Sequence, residues 1–81
     1  MMERVLAFAR AMTQQLDANS YKSGWVNLSP KWFLNRLRQE TGELERAIKK
    51  GDINEIKKEA ADVGNFAMMI VDVTGGFKEP R

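Results

Sequence analysis

The sequence contains no cysteine and no histidine. Without cysteine the chain has no disulfide framework, no thiolate metal site and no cysteine nucleophile. Without histidine it also lacks the usual general base and the commonest zinc ligand. Any chemistry must therefore use carboxylates, lysines, arginines and hydroxyl groups.

Long apolar runs and a strong net charge are missing as well. Arg10 interrupts the N-terminal stretch MMERVLAFARAM, so it lacks the apolar run of a signal peptide, and no segment approaches the roughly 20 apolar residues of a membrane span. The net charge of +2 is too small to indicate a nucleic-acid or membrane partner by itself. We therefore expect a cytoplasmic protein that does not bind membranes.

The composition is that of one small globular domain. The chain has 81 residues, 43% of them hydrophobic and 30% charged, with no internal repeat, low-complexity tract or flexible linker, so we expect a single domain over residues 1–81. A chain of this length buries only about 60–65% of its unfolded surface. We therefore expect an oligomer, because self-association supplies the missing burial.

Three helices are predicted, and no segment alternates as a strand does. The first covers about residues 2 to 18. The second begins at Ser29-Pro30, a hydroxyl N-cap followed by a proline in the first helical position, and ends at Gly51. The third is capped by Asp52 and ends at Gly75-Gly76. The class is therefore all-α, with three antiparallel helices in one protomer.

Each predicted helix carries one apolar stripe at helical spacing. The stripe of the first helix contains Val5, Phe8, Ala9, Met12 and Leu16. The stripe of the second contains Phe33, Leu37, Leu44, Ala47 and Ile48. The stripe of the third contains Ile56, Ala60, Val63, Ala67 and Ile70.

Two acidic pairs, Glu40-x-x-Glu43 and Glu59-x-x-Asp62, flank the turn between the second and third helices. The connection is short, so these helices should be antiparallel neighbours, and residues equally far from Gly51 should lie at the same height. Residues 43 and 59 are each eight positions from Gly51, and residues 40 and 62 are each eleven positions away. The pattern therefore predicts four carboxylates in two layers facing one another.

Two interpretations explain such a group of acids. A hard divalent cation, Mg²⁺ or Mn²⁺, would make four neighbouring carboxylates favourable because it prefers oxygen ligands. Alternatively the acids form a solvated face, with Glu40 paired to Arg36 and Asp62 to Lys58 within their own helices. The matched placement favours the metal, and Glu59 has a like charge one turn before it.

The same residues resemble a known family. The two acidic motifs, continued by DVGNFAMMIVD, resemble the MazG-type all-α nucleotide pyrophosphohydrolases, whose signature is an E-E-x-x-E block followed by E-x-x-D on the next helix. The stretches KSGW and NFAMM resemble the small phage and bacterial members, and the resemblance covers roughly residues 8 to 77. It implies Mg²⁺-dependent hydrolysis of a nucleoside triphosphate, often a deoxynucleotide, to the monophosphate and pyrophosphate.

The resemblance also implies roles for individual residues. Glu40, Glu43, Glu59 and Asp62 would hold the metal ions, and Glu43 or Glu40 would take the proton from the attacking water. Asn65 corresponds to the asparagine of the family that bonds the sugar or a phosphate. Its alternative is a helix-interior amide satisfied by solvent.

The polar loop after the first helix offers further candidates for nucleotide contacts. Lys22 and Lys31 could meet phosphates, and Trp25 or Trp32 could stack on a base. For Trp32 the alternative is a core or interface position, which is the commoner place for a tryptophan in so small a domain.

The sequence departs from the family pattern at two points. Gln39 stands where the family has the first glutamate of its doublet. The chain also ends soon after Gly76, so a second subunit is expected to complete the pocket, in a homodimer or homotetramer. The alternative function is a small non-catalytic helical module that binds other proteins, or binds nucleic acid through the lysines near the turn.

Overall fold

The computed structural model describes residues 2–19, 24–25 and 27–78. Within these ranges the chain forms three α-helices and no strand. They are α1 (Met2–Ala18), α2 (Pro30–Lys50) and α3 (Ile53–Val73). The all-α prediction is confirmed, and the helix ends fall within a residue or two of the predicted positions.

Local side-chain chemistry sets the ends of α2 and α3. The Ser29 hydroxyl accepts a hydrogen bond from the backbone N–H of Trp32 at 3.2 Å, as expected of an N-cap. Gly51 ends α2 in the left-handed conformation, with φ of 71°. Asp52 follows at once and accepts from the backbone N–H of Glu55 at 3.2 Å. A two-residue connection of this kind makes α2 and α3 an antiparallel hairpin.

Helix α3 occupies the centre of the fold. It packs against α2 on one side and against α1 on the other, while α1 and α2 do not pack on each other within the described ranges. Gly64 lies where α1 crosses α3. A Cβ atom there would be 3.0 Å from a ring carbon of Phe8 and 3.4 Å from the Met12 sulfur, so the glycine permits the close approach of α1.

The core lies between α2 and α3, towards the end of the hairpin opposite the turn. Phe33, Phe66 and Met69 are its buried centre, and the two phenylalanine rings lie 6.5 Å apart. The partly buried residues around them are Leu16, Trp25, Leu37, Met68, Ile70 and Val73. Long apolar side chains from all three helices thus fix the distance between α2 and α3.

The predicted stripe of α3 is displaced from the face that is buried. The buried residues of α3 are Ala61, Asp62, Asn65, Phe66 and Met69. The residues of the predicted stripe are half-buried, except Ala67, which is exposed. The reason is that α3 has two neighbours, so its most buried strip lies between them and includes two polar residues that hydrophobic periodicity does not detect.

The predicted stripe of α1 is only partly covered within one chain. Met12 and Leu16 are half-buried, while Val5 and Phe8 are 60% and 40% exposed. This difference arises because the N-terminal part of α1 has only α3 to pack against.

In α2, Phe33 and Ala47 are buried as expected, but Ile48 is 57% exposed.

In the part of the chain that the structure describes, no helix combines the length and the apolar character needed to cross a lipid bilayer.

Candidate metal centre

Three of the four predicted carboxylates come together between α2 and α3. Glu40 projects from α2, and Glu59 and Asp62 project from α3, each offering an oxygen within 4.8 Å of the others. Glu40 and Glu59 are half-buried and Asp62 is buried. We call these three residues the acidic trio.

Glu43 does not belong to the trio. Its carboxylate forms an ion pair with Arg46 on the same helix, and its side chain is 46% exposed. It nevertheless borders the same side of the hairpin, since Glu43 and Glu59 both line a cleft of about 200 Å³ near the turn. The hairpin fixes the height of each residue, but the side-chain rotamer and the ion pair with Arg46 decide where the carboxylate points.

Asp62 is held from the opposite side by α1. Its Oδ1 atom accepts a hydrogen bond from Nε2 of Gln15 at 3.1 Å and a longer one from Nδ2 of Asn19 at 3.5 Å. Burial of a carboxylate is costly unless such donors replace water. The sequence interpretation missed both amides, because Gln15 and Asn19 lie outside the acidic motifs and 43 or more positions from Asp62.

Glu40 has a cationic partner on its own helix. Arg36 donates to Glu40 at 3.1 Å, hydrogen-bonds to Gln39, and lies with its guanidinium carbon 5.2 Å from the centre of the Phe66 ring. Of the two salt bridges expected under the alternative interpretation, the one between Glu40 and Arg36 is therefore present, and the acids still lie together. Among the described residues, Arg36 is the one cation that forms an ion pair with the trio, so the trio remains anionic.

The crowding of these acids shifts their protonation. Burial raises the pKa of Glu59 to about 7, with further contributions from a hydrogen bond with Asp62 and from the negative charge of Glu40. Burial and the charge of Asp62 also raise the pKa of Glu40, although Arg36 opposes the shift. A site with this electrostatic character gains free energy from binding either protons or a cation.

The donor set fits Mg²⁺ or Mn²⁺. All three ligands are carboxylate oxygens, which hard cations prefer. In an octahedral site with bonds of about 2.1 Å, ligand oxygens lie about 3 to 4.2 Å apart. The trio, at up to 4.8 Å, needs only small side-chain rotations to reach those distances.

Asn65 is one turn beyond Asp62 and is buried, with 3% of its surface exposed. Its Nδ2 donates to the backbone carbonyl of Met12 at 2.9 Å, while its Oδ1 is buried without a hydrogen-bond partner. The alternative, an amide satisfied by solvent, is therefore wrong, because the side chain is buried against α1. Its role as a substrate contact stays a prediction.

Trp25 is anchored at the far end of α3. Its indole N–H donates to Oδ2 of Asp72 at 3.0 Å, and its ring packs against the core. Asp72 lies ten residues after Asp62, which is about 15 Å along the helix. Within one chain, Trp25 is therefore distant from the acidic trio.

The other predicted nucleotide contacts are also remote from the trio or undescribed. Lys31 is exposed at the start of α2, nine residues before Glu40, or about 14 Å along the helix. Trp32 is 38% exposed and meets Phe33 edge to face at 5.2 Å, which agrees with the packing alternative. Lys22 lies outside the described residues.

The part of the chain that carries the acidic trio is similar to known proteins. Residues 28–78 match the model of the MazG nucleotide pyrophosphohydrolase domain. Over 46 residues the chain is 37% identical to an uncharacterized protein of Archaeoglobus fulgidus, a match that covers 57% of this chain and 50% of the relative. The chain thus spans about half the length of that curated relative. No solved structure matches. The family match contains the whole acidic trio, whereas α1 lies outside it.

Proposed function

The chain belongs to the MazG nucleotide pyrophosphohydrolase family, and we propose that it hydrolyses a nucleoside or deoxynucleoside triphosphate to the monophosphate and pyrophosphate in a Mg²⁺-dependent reaction. The observation that carries the proposal is the acidic trio on the two helices covered by the family match. A non-catalytic binding module gives no reason to bring three carboxylates together between packed helices at the cost of raised pKa values.

In this proposal Glu40, Glu59 and Asp62 hold the cation. Glu43 joins them by a change of rotamer that releases Arg46, which is a small cost because the pair is partly exposed. Mg²⁺ or Mn²⁺, when bound, neutralises phosphate oxygens, polarises the α-phosphorus and acidifies a coordinated water. Arg36 keeps the Glu40 carboxylate in place from the side of the core.

A glutamate of α2, Glu43 or Glu40, takes the proton of the attacking water. The water oxygen then bonds to the α-phosphorus, and the bond from that phosphorus to the oxygen bridging to the β-phosphate breaks, so that pyrophosphate leaves. For Glu40 the support is its place in the acidic trio, next to the proposed cation. For Glu43 the support is its position at the edge of the cleft that Glu59 also lines.

The nucleotide itself is proposed to bind in an assembly of two or four identical chains. Lys22, Trp25, Lys31 and Asn65 remain the proposed contacts to phosphates, sugar and base. Because Trp25 and Lys31 lie about 14–15 Å from the trio along the helix axes, the described residues of one chain do not surround a nucleotide bound at the trio. A second copy would close the pocket.

The direct test measures monophosphate and pyrophosphate after incubation with each common nucleotide and MgCl₂. Glu43→Gln and Asp62→Asn should each lower turnover by roughly a hundredfold, because they keep shape but remove charge from the site. Glu45→Gln is the matched control, since Glu45 is an exposed glutamate of α2 paired with Lys49. EDTA should abolish the activity. Near-normal rates in both site variants, or no pyrophosphate from any nucleotide, would contradict the proposal.

A further inference from the structure

Helix α1 and the residue after it contact Asp62 of the acidic trio through two side-chain amides. We infer that Gln15, assisted by Asn19, is a positioning residue that fixes the orientation of the Asp62 carboxylate within the trio. The inference rests on the proposed function, because it concerns how the same site is prepared for its cation. Its basis is the pair of hydrogen bonds to Asp62 Oδ1, 3.1 Å from Gln15 and 3.5 Å from Asn19.

Both amides engage the same oxygen of Asp62. A carboxylate on a helix can rotate about its terminal torsion, which is soft, so an unsupported Asp62 would sample many orientations. The hydrogen bonds from Gln15 and Asn19 restrict that rotation. Both bonds go to Oδ1, and Oδ2 takes part in neither. Outer ligands of this kind, which orient the groups that bind a metal, are a general feature of metal centres.

The chemical type of the donor matters as much as its place. An amide N–H orients a carboxylate without bringing a full positive charge, so the negative charge of Asp62 stays available to a cation. A lysine or arginine at the same position would neutralise it, as Arg36 partly does for Glu40 on the other side of the trio. Gln15 and Asn19 thus satisfy a buried anion while preserving its charge.

A purely structural link between α1 and α3 would not need a carboxylate. Asn65, one turn further along α3, makes its contact to α1 with a neutral amide that donates to the Met12 carbonyl at 2.9 Å. An uncharged side chain at position 62 could likewise accept from Gln15, at a lower desolvation cost than a carboxylate that is 9% exposed. We therefore assign the charge of Asp62 to cation binding by the trio. The amides of Gln15 and Asn19 stabilise and orient that charge.

The test uses Mn²⁺ as the probe and measures its binding directly, from the free Mn²⁺ signal in electron paramagnetic resonance. Gln15→Met keeps the length of the side chain and removes the donor. Loss of an outer partner typically weakens metal binding by roughly 10- to 100-fold, and we expect about tenfold here because Asn19 remains. The matched control is Gln14→Met, a change of the adjacent, exposed glutamine, which should leave the Mn²⁺ affinity unchanged.

A second variant tests whether weaker Mn²⁺ binding could come from misfolding instead of the lost hydrogen bond. Gln15→Ala shortens the side chain at a half-buried position while favouring the helix, and should weaken Mn²⁺ binding to the same extent as Gln15→Met. Circular dichroism in EDTA verifies the helix content of each variant. Raising the Mn²⁺ concentration should restore turnover of both variants to near the wild-type value, because the variants keep the metal-binding carboxylates and lose only affinity.

The outcomes separate this inference from the proposed function. If the wild-type protein shows no saturable Mn²⁺ binding, the metal-dependent function itself fails. If the wild type binds Mn²⁺ and the folded Gln15 variants bind it as tightly as the Gln14→Met control, the positioning role of Gln15 is overturned while the function stands.

Discussion

At the scale of single residues, the acidic trio is an unfavourable arrangement of charge. Glu59 illustrates it, because burial and its acidic neighbours raise its pKa from 4.5 to about 7. A carboxylate whose pKa is raised in the folded state makes the native protein bind more protons than the unfolded chain. Its contribution to stability is therefore fully present below about pH 4.5 and is lost as the pH rises to about 7.

Glu59→Gln should reverse that penalty. In EDTA at pH 8 the variant should melt at a higher temperature than the wild type, and its stability should depend less on pH between about 4.5 and 7. Millimolar MgCl₂ should raise the melting temperature of the wild type with saturation and have little effect on the variant, because a ligand that binds only the folded state stabilises it.

Two comparisons make the result specific to the trio. Glu45→Gln removes an exposed glutamate of α2 and should leave the response to Mg²⁺ intact. NaCl at the same ionic strength gives the general salt effect. Equal responses of the wild type to the two salts would mean that the acids form only a solvated face.

At the scale of helices, the close contact of α1 with α3 depends on Gly64. The contact brings Phe8 and Met12 over the glycine and places Gln15 one turn further along α1, where it reaches Asp62. Gly42, on α2, is also inside a helix, but a Cβ atom there would meet nothing within 4 Å. The two glycines therefore differ in their packing, but each lowers the stability of its helix by a similar amount relative to alanine.

Replacing each glycine by alanine separates these effects. Gly42→Ala should raise the free energy of unfolding by about 0.5–1 kcal/mol, because alanine favours a helix more than glycine does. Gly64→Ala has the same intrinsic gain but places a methyl group 3.0 Å from the Phe8 ring, so it should stabilise less or destabilise. Urea unfolding of the two variants measures the difference, and equal gains would show that α1 does not pack closely on Gly64.

At the scale of the whole molecule, apolar surface remains uncovered in one chain. Val5, Leu6 and Phe8 of α1 are 60%, 49% and 40% exposed, and Val71 of α3 is 39% exposed. A row of large apolar side chains on one helix is typical of a surface that packs against another chain. The uncovered N-terminal half of α1 therefore supports the proposed homodimer or homotetramer.

Val5→Glu should weaken this assembly, because it places a charge among these exposed apolar side chains. Light scattering at micromolar concentration should give the mass of a dimer or tetramer for the wild type and a smaller mass for the variant. Gln14→Glu, which adds the same charge at an exposed polar position of α1, should leave the mass unchanged. A monomeric and active wild type would contradict the proposed assembly.

The sequence by itself determined the helices, their ends and the heights of the acids. The caps at Ser29 and Asp52 and the left-handed Gly51 act through neighbours three or four positions away, so local patterns carry the information. The short turn then made α2 and α3 antiparallel, and this was enough to predict that Glu40 and Asp62 would face each other.

Side-chain rotamers decided which acids meet, and tertiary structure decided which groups support them. Glu43 lies outside the trio because its carboxylate forms an ion pair with Arg46 on the same helix. The spacing of the acidic residues does not specify this rotamer. Asp62 is buried because α3 lies between two helices, and its donor Gln15 is 47 positions away in the chain. The contact between Gln15 and Asp62 forms only when α1 packs on α3, and its free energy depends on that packing rather than on any local pattern of residues.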